Sequence, residues 1–168
     1  MVIDAVRLLL FPALMAFAAS SDLLTMTISN RISLALIAGF VGLALATGMS
    51  AEAMGYHALA GALVLVVAFA CYARGWIGGG DAKLAAATAL WFGFEYLYDY
   101  LLWASLLGGV LTLAIIRFRA LPLPDALAKQ VWIARLHQEN AGVPYGIALA
   151  AAAMFIYPYT AWMKMLTP

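Results

Sequence analysis

The sequence predicts an all-α integral membrane protein, and the composition is the first reason. Of the 168 residues, 67% are hydrophobic and 10% are charged, and the mean hydropathy is +0.98. Soluble domains are about 45–50% apolar and about 25% charged, so a soluble chain of this size could not bury so much apolar surface. The second reason is the pattern, because the apolar residues form six long runs separated by short polar segments.

Each apolar run predicts one transmembrane helix. A helix needs about 20 residues, within a range of about 17–25, to cross the hydrocarbon core of a bilayer. Five runs reach this length with their flanks, and the fourth does so if it begins near Ile77. The runs are residues 3–20, 32–48, 55–72, 82–94, 98–116 and 143–163. Because the connections are short, we expect one domain over residues 1–168.

Basic residues predict the orientation of these six helices. With the N-terminus outside, the inner loops are residues 21–31, 73–83 and 117–142. Most of the basic residues lie in these loops: Arg31, Arg74, Lys83, Arg117, Arg119, Lys129 and Arg135. Arg7 and Lys164 are on the other side. Short cytoplasmic loops carry an excess of Lys and Arg, so the sequence predicts that both termini face outward.

The longest inner loop predicts an additional helix. Pro122 and Pro124 end the fifth transmembrane helix, and Asp125 can cap a new one. Four apolar residues then share one helical face: Leu127, Val131, Trp132 and Leu136. This face predicts an interfacial amphipathic helix in contact with membrane lipid. A solvated linker helix is the alternative.

Two aspartates, Asp22 and Asp81, stand at the inner ends of predicted transmembrane helices. Two membrane crossings separate them, so both lie on the same face of the membrane. Ionisable groups beside hydrocarbon are costly and often functional. The alternative is that each aspartate extends its charge to the membrane interface or caps a helix. Two close carboxylates cannot both ionise easily, so they share a proton. One can then accept a proton from water while the other polarises a carbonyl group, which is the chemistry of aspartic proteases.

Three glycines precede Asp81 in the stretch WIGGGDAKL. The absence of side chains at Gly78, Gly79 and Gly80 lets neighbouring backbone or an extended substrate approach closely. A phosphate-binding loop is excluded because the Gly-Lys-Ser/Thr ending is missing. A dinucleotide fingerprint is excluded because Lys83 occupies its last glycine position.

Composition excludes several other classes of function. The single cysteine, Cys71, leaves no internal disulfide and no cysteine-rich zinc site, so we expect neither a metal nor a cofactor. A net charge of +1 argues against general nucleic-acid binding. His57 and His137 have no serine or cysteine in an obvious relation to them, which gives serine or cysteine protease chemistry little support.

The sequences around both aspartates resemble the type IV prepilin peptidase family of GxGD aspartyl proteases. Residues 78–81 match the Gly-x-Gly-Asp motif of that family, and Lys83 matches the lysine that commonly follows it. Asp22 matches the aspartate that ends the first helix.

Two further elements extend the resemblance along the chain. Residues 28–30 match an Ile-Pro-Asn element that ends at Asn30, with Ser29 in place of the proline. Pro144 and Gly146 match a Pro-x-Gly element at the start of the last helix. The resemblance is closest to the short, CpaA-like prepilin peptidases of tight-adherence (Flp-type) pilus systems.

The resemblance implies an endopeptidase that removes the basic leader of prepilins at the cytoplasmic face of the inner membrane. It implies catalysis by Asp22 and Asp81 without a metal or cofactor. Residues with implied supporting roles are Gly78, Gly79, Gly80, Lys83, Asn30, Pro144 and Gly146. The four-cysteine insertion of longer family members is absent, so N-methyltransferase activity is not expected.

Two other functions would use the same carboxylates. A proton-coupled carrier or small channel would use them as relay groups, although the second, third and fifth runs offer no polar path. A non-enzymatic scaffold for pilus or secretion assembly would use them as helix caps. We also expect an aspartate pair that is not fully assembled without substrate, since the glycine-rich residues 73–80 resist motion little.

Overall fold

The computed structural model describes residues 2–164, and all regular secondary structure in that range is helical. The helices are α1 (Val2–Thr25), α2 (Asn30–Ala46), α3 (Ala51–Ala73), α4 (Gly79–Arg119), α5 (Asp125–Ala128), α6 (Val131–His137), α7 (Gly146–Ile156) and α8 (Ala161–Lys164). A 3-10 helix, Tyr157–Tyr159, joins α7 to α8. The prediction of an all-α protein is confirmed.

The surface of the long helices is apolar, as expected of a membrane protein. Among the described residues, α1, α3 and α4 are long and apolar enough to cross a membrane, and α2 and α7 are shorter apolar helices. Large side chains on these helices face outward; for example, Val66 is 69% exposed and Leu113 is 65% exposed. Apolar side chains exposed on helices of this length fit a lipid environment.

Helix α4 reverses its direction at Gly93, where the backbone is non-helical with φ 58° and ψ −168°. Asp81 and Thr112 line the same cavity, whereas a straight helix would hold them about 45 Å apart at 1.5 Å per residue. The first half of α4, residues 79–92, therefore folds back against the second half, residues 94–119. The break between the fourth and fifth helices was predicted at residues 95–97, between the two apolar runs. In the structure it lies at Gly93, inside the fourth run.

Side chains from other helices cap the carbonyl groups that the reversal at Gly93 leaves free. His57 Nδ1 lies 2.8 Å from the carbonyl oxygen of Leu90. Trp162 Nε1 donates to the carbonyl oxygen of Trp91 at 3.0 Å. The last four carbonyls of a helix have no partner within it, and these two contacts supply partners at the end of the first half of α4. Contacts with other helices therefore hold the chain at the point where α4 reverses its direction.

Replacing Gly93 by alanine is expected to lower the melting temperature of the detergent-solubilised protein. The dihedral angles at Gly93 are accessible almost only to glycine and cost other residues about 1–3 kcal/mol. The added Cβ would also lie 3.0 Å from Cε1 of His57. Gly55→Ala is the matched control, because no atom lies within 4 Å of a Cβ at that helical position. Equal melting temperatures for the two variants would contradict this account.

Helix α4 occupies the centre of the fold. It packs against α2, α3 and α7, while α1 packs against α2 and α7. Trp91, Phe11 and Tyr100 are fully buried where these helices meet. The packing brings the C-terminal end of α1, the start of α4 and the start of α7 to one place.

The predicted helix over residues 143–163 is wrong as a single helix. Helix α7 ends at Ile156, and Tyr157–Tyr159 forms a 3-10 turn before an extended residue, Thr160. Pro158 lies within this turn. Because proline has no backbone N–H and clashes with the preceding turn, an α-helix does not continue through it without a kink.

The predicted amphipathic helix between the last two apolar runs is also divided. Helices α5 and α6 are separated at Lys129 and Gln130, and Gln130 has the extended ψ value of 113°. Asp125 is the first residue of α5 and does not cap it; Pro124 holds the cap position without a side-chain hydrogen bond. Leu127 and Val131 are exposed, and contact of this face with lipid stays a prediction.

Candidate active site

A cavity of about 700 Å³ lies where α1 ends and where α4 and α7 begin. Both aspartates that the sequence singles out line it. The full lining is Asp22, Met26, Gly75, Trp76, Ile77, Gly78, Asp81, Thr112, Gly142, Val143 and Tyr145. Asp22 and Asp81 are 59 positions apart in the chain (81 minus 22), and the fold brings their side chains to one space.

Asp22 is held by the start of α7. It lies in the last turn of α1 and is 5% exposed. Its Oδ2 accepts a hydrogen bond of 2.7 Å from the backbone N–H of Gly146. The first N–H groups of a helix have no partner within that helix, and a negative charge is favourable beside them. The first residue of α7 therefore supplies a hydrogen-bond donor to a buried carboxylate.

Asp81 lies at the start of its own helix. It is the third residue of α4, and its carboxylate lies beside the backbone of Gly78, the N-cap residue. An acidic side chain at this position commonly bonds back to the N-cap N–H. Oδ1 of Asp81 is buried and has no hydrogen-bond partner among the described residues. That oxygen is available to a proton, a water molecule or a substrate.

The glycines beside the aspartates permit close packing around the cavity. A Cβ at Gly78 would lie 2.7 Å from Oδ2 of Asp81, and one at Gly80 would lie 3.1 Å from Cβ of Ile28. A Cβ at Gly79 would lie 3.2 Å from the Tyr72 ring. The space freed by these glycines is filled by the protein's own side chains, including the carboxylate.

Comparison with known proteins identifies the family. The sequence profile of the type IV leader peptidase family matches residues 9–113, which is more than half of the 168 residues. The match includes Asp22 and Asp81. The chain belongs to the type IV leader peptidase family. A search of curated proteins and a search of solved structures each found no significant match.

Two of the predicted supporting residues of this leader peptidase lie away from the aspartates. Lys83 Nζ donates to Oδ1 of Asn30 at 2.8 Å. Both residues line a separate groove of about 450 Å³ between α2, α3 and the first half of α4, and neither lines the aspartate cavity. Lys83 therefore does not contact the two carboxylates directly.

The third predicted element of the leader peptidase does reach the aspartates. Pro144 is fully buried, and Gly146 donates to Asp22. Among residues 2–164, no group of three or more His, Cys, Asp or Glu side chains could hold a metal ion. The polar groups that line the cavity include the two carboxylates, Thr112 and Tyr145.

Sequence analysis missed the residues that hold the loop between the last two apolar runs against the rest of the protein. Arg135 donates to the carbonyl oxygen of Leu24, in the last turn of α1, at 3.0 Å. Arg119 donates to the carbonyl oxygens of Leu136 at 2.9 Å and Gly142 at 2.8 Å. Their basic charge predicted an inner-side location only, because carbonyl partners 17, 23 and 111 positions away leave no local signal.

Proposed function

We propose that this leader peptidase is an aspartyl endopeptidase that cuts prepilins with Asp22 and Asp81 as its catalytic pair. The observation that carries the proposal is the shared cavity, which holds both carboxylates and leaves Oδ1 of Asp81 without a partner. Membership of the type IV leader peptidase family supports the same reaction.

The proposed reaction needs only the two carboxyl groups and water. Two carboxyl groups in one buried cavity share a proton because like charges repel. The ionised group takes a proton from water, and the water oxygen bonds to the carbonyl carbon of the scissile peptide. The protonated group donates to the carbonyl oxygen in this step. When the carbon–nitrogen bond breaks, the leaving amine takes a proton from one carboxyl group. A hydroxyl group of the tetrahedral intermediate returns a proton to the other, so the pair again shares one proton.

The proposed setting is the bacterial inner membrane, with the cavity on the cytoplasmic side. The basic inner loops support this orientation. The reversal at Gly93 lets α4 contribute two of six spans. The other four are α1, α2, α3, and α7 together with the 3-10 helix and α8 that follow it. Both termini then face outward. A substrate with a basic cytoplasmic leader and an apolar helix would present its junction at the depth of Asp22 and Asp81.

Co-expression with a Flp-type prepilin tests the proposal. We expect the wild-type protein to convert the prepilin to a shorter form, and mass spectrometry of its new N-terminus to place the cut between the basic leader and the apolar helix. A prepilin that stays intact beside correctly inserted enzyme would contradict the Flp-type substrate. Proton or solute flux through reconstituted vesicles without cleavage would favour a carrier. Pilus assembly that needs the protein but no cleavage would favour a scaffold.

A further inference from the structure

The side chain of Tyr145 crosses from the start of α7 to the second half of α4. Its hydroxyl group donates to the carbonyl oxygen of Ala104 at 3.2 Å. Its ring lies on Gly108, which is buried. A Cβ at Gly108 would overlap with Cζ and Oη of Tyr145. The absence of a side chain at Gly108 is therefore what makes room for the ring.

The position of Tyr145 matters because of the residue that follows it. The backbone N–H of Gly146 is the group that donates to Asp22. The N–H of Tyr145 itself donates to the carbonyl oxygen of Val143 at 2.8 Å, within the tight turn before α7. The Tyr145 ring and the Gly146 N–H are therefore attached to adjacent backbone atoms at the start of α7.

The Tyr145 side chain is partly buried beside the aspartates. Its hydroxyl group acts as the donor in the hydrogen bond to Ala104. Tyr145 also lines the cavity that holds both aspartates, so its ring and the aspartates belong to one packed unit.

We infer that Gly108 forms a seat for the ring of Tyr145, and that this seat positions the Gly146 N–H on Asp22. Tyr145 is then a positioning residue for leader cleavage, an inference that rests on the proposed function. The seat ties the second half of α4 to the start of α7, and the hydrogen bond to Asp22 continues this connection to α1.

Two glycine variants in the same helix test the seat. Gly108→Ala is expected to lower kcat for prepilin cleavage by about 100-fold, the scale of a 1 Å misplacement of a reacting group. Gly109→Ala is the matched control, since no atom lies within 4 Å of a Cβ at that position. KM should change little, because the substituted position does not line the cavity. Equal kcat values for the two variants would overturn the inference.

A double-mutant cycle shows whether Gly108 acts through Tyr145. In a Tyr145→Ala background no ring occupies the seat, so adding Gly108→Ala should leave both kcat and the melting temperature nearly unchanged. Non-additivity of this kind is the signature of residues in contact. An equal loss in both backgrounds would overturn the inference.

The pH dependence of the rate separates positioning from a general loss of packing. A hydrogen bond donated to a carboxylate favours its ionised form. Losing the Gly146 bond should therefore move the acid limb of the kcat/KM profile to higher pH in Gly108→Ala and leave it unchanged in Gly109→Ala. A lower rate with an unshifted profile would overturn the positioning role.

The melting temperatures of the double-mutant cycle also test this inference separately from the proposed function. A wild-type protein that fails to cut every prepilin tested would contradict the proposed function, while the cycle of melting temperatures would still decide whether the seat exists. A wild-type protein that cuts, together with a Gly108→Ala variant that cuts equally well, would contradict the seat alone.

Discussion

Asp22→Asn and Asp81→Asn are each expected to lower the rate of prepilin cleavage by about 10²–10⁴-fold, the usual contribution of a positioned acid or base. Asparagine has nearly the shape of aspartate, and at position 22 it keeps an oxygen that can accept the hydrogen bond from the Gly146 N–H. It cannot exchange a proton with water or with the peptide. The substitutions thus remove the chemistry while changing the shape of each side chain little.

The measurement is the time course of prepilin conversion by purified variants at equal concentration. Asp125→Asn is the matched control, because Asp125 is an exposed carboxylate at the start of α5 and does not line the cavity. Melting temperatures of both variants should stay close to that of the wild type. Cleavage at a near wild-type rate by either Asp22→Asn or Asp81→Asn would show that the catalytic pair is wrongly assigned.

The proximity of these two aspartates follows from simple features of the sequence. An even number of membrane crossings between two positions places both on the same side, whatever the packing of the helices. Counting apolar runs was therefore enough to bring Asp22 and Asp81 to one end of the helices. Their arrival in one cavity also needs α1 and α4 to be neighbours of α7, which the order of the runs does not determine.

The placement of Lys83 shows why nearness in sequence does not establish nearness in space. Successive residues of an α-helix are rotated by about 100° around its axis. Lys83 is two residues after Asp81, so the two side chains leave the helix in nearly opposite directions. Lys83 consequently meets Asn30 on the groove between α2 and α3.

Glycines show a second limit of sequence analysis. Gly93 and Gly109 both lie inside apolar runs, yet the first reverses the chain and the second is helical. The difference depends on His57 and Trp162, which cap the carbonyl groups freed at Gly93. Both partners come from distant parts of the chain, so the local sequence contains no sign of them.

The residue between Pro144 and Gly146 shows the same limit at the site itself. A Pro-x-Gly pattern leaves its middle position undefined, so the pattern alone assigned no role to Tyr145. The structure places the ring of Tyr145 on Gly108, which is 37 positions earlier (145 minus 108). Contacts of this kind depend on how the helices pack and not on local propensity.

Gly146→Ala is expected to reduce cleavage by about 100-fold through the geometry of Asp22. The added Cβ would lie 2.8 Å from Oδ2 of Asp22 and 2.7 Å from Cδ1 of Ile28. The end of the Ile28 side chain can move aside, but Asp22 is buried and accepts its hydrogen bond from this same residue. The carboxylate or the start of α7 must shift, and the 2.7 Å hydrogen bond is lost.

Gly142→Ala is the matched control for this variant, because Gly142 lines the same cavity and no atom lies within 4 Å of its added Cβ. We expect Gly142→Ala to cut at close to the wild-type rate. Combining Gly146→Ala with Ile28→Val should not restore cleavage, since that change removes the Cδ1 contact and leaves the contact with Asp22. Full recovery in the double variant would show that Ile28, and not the carboxylate, is what the methyl group disturbs.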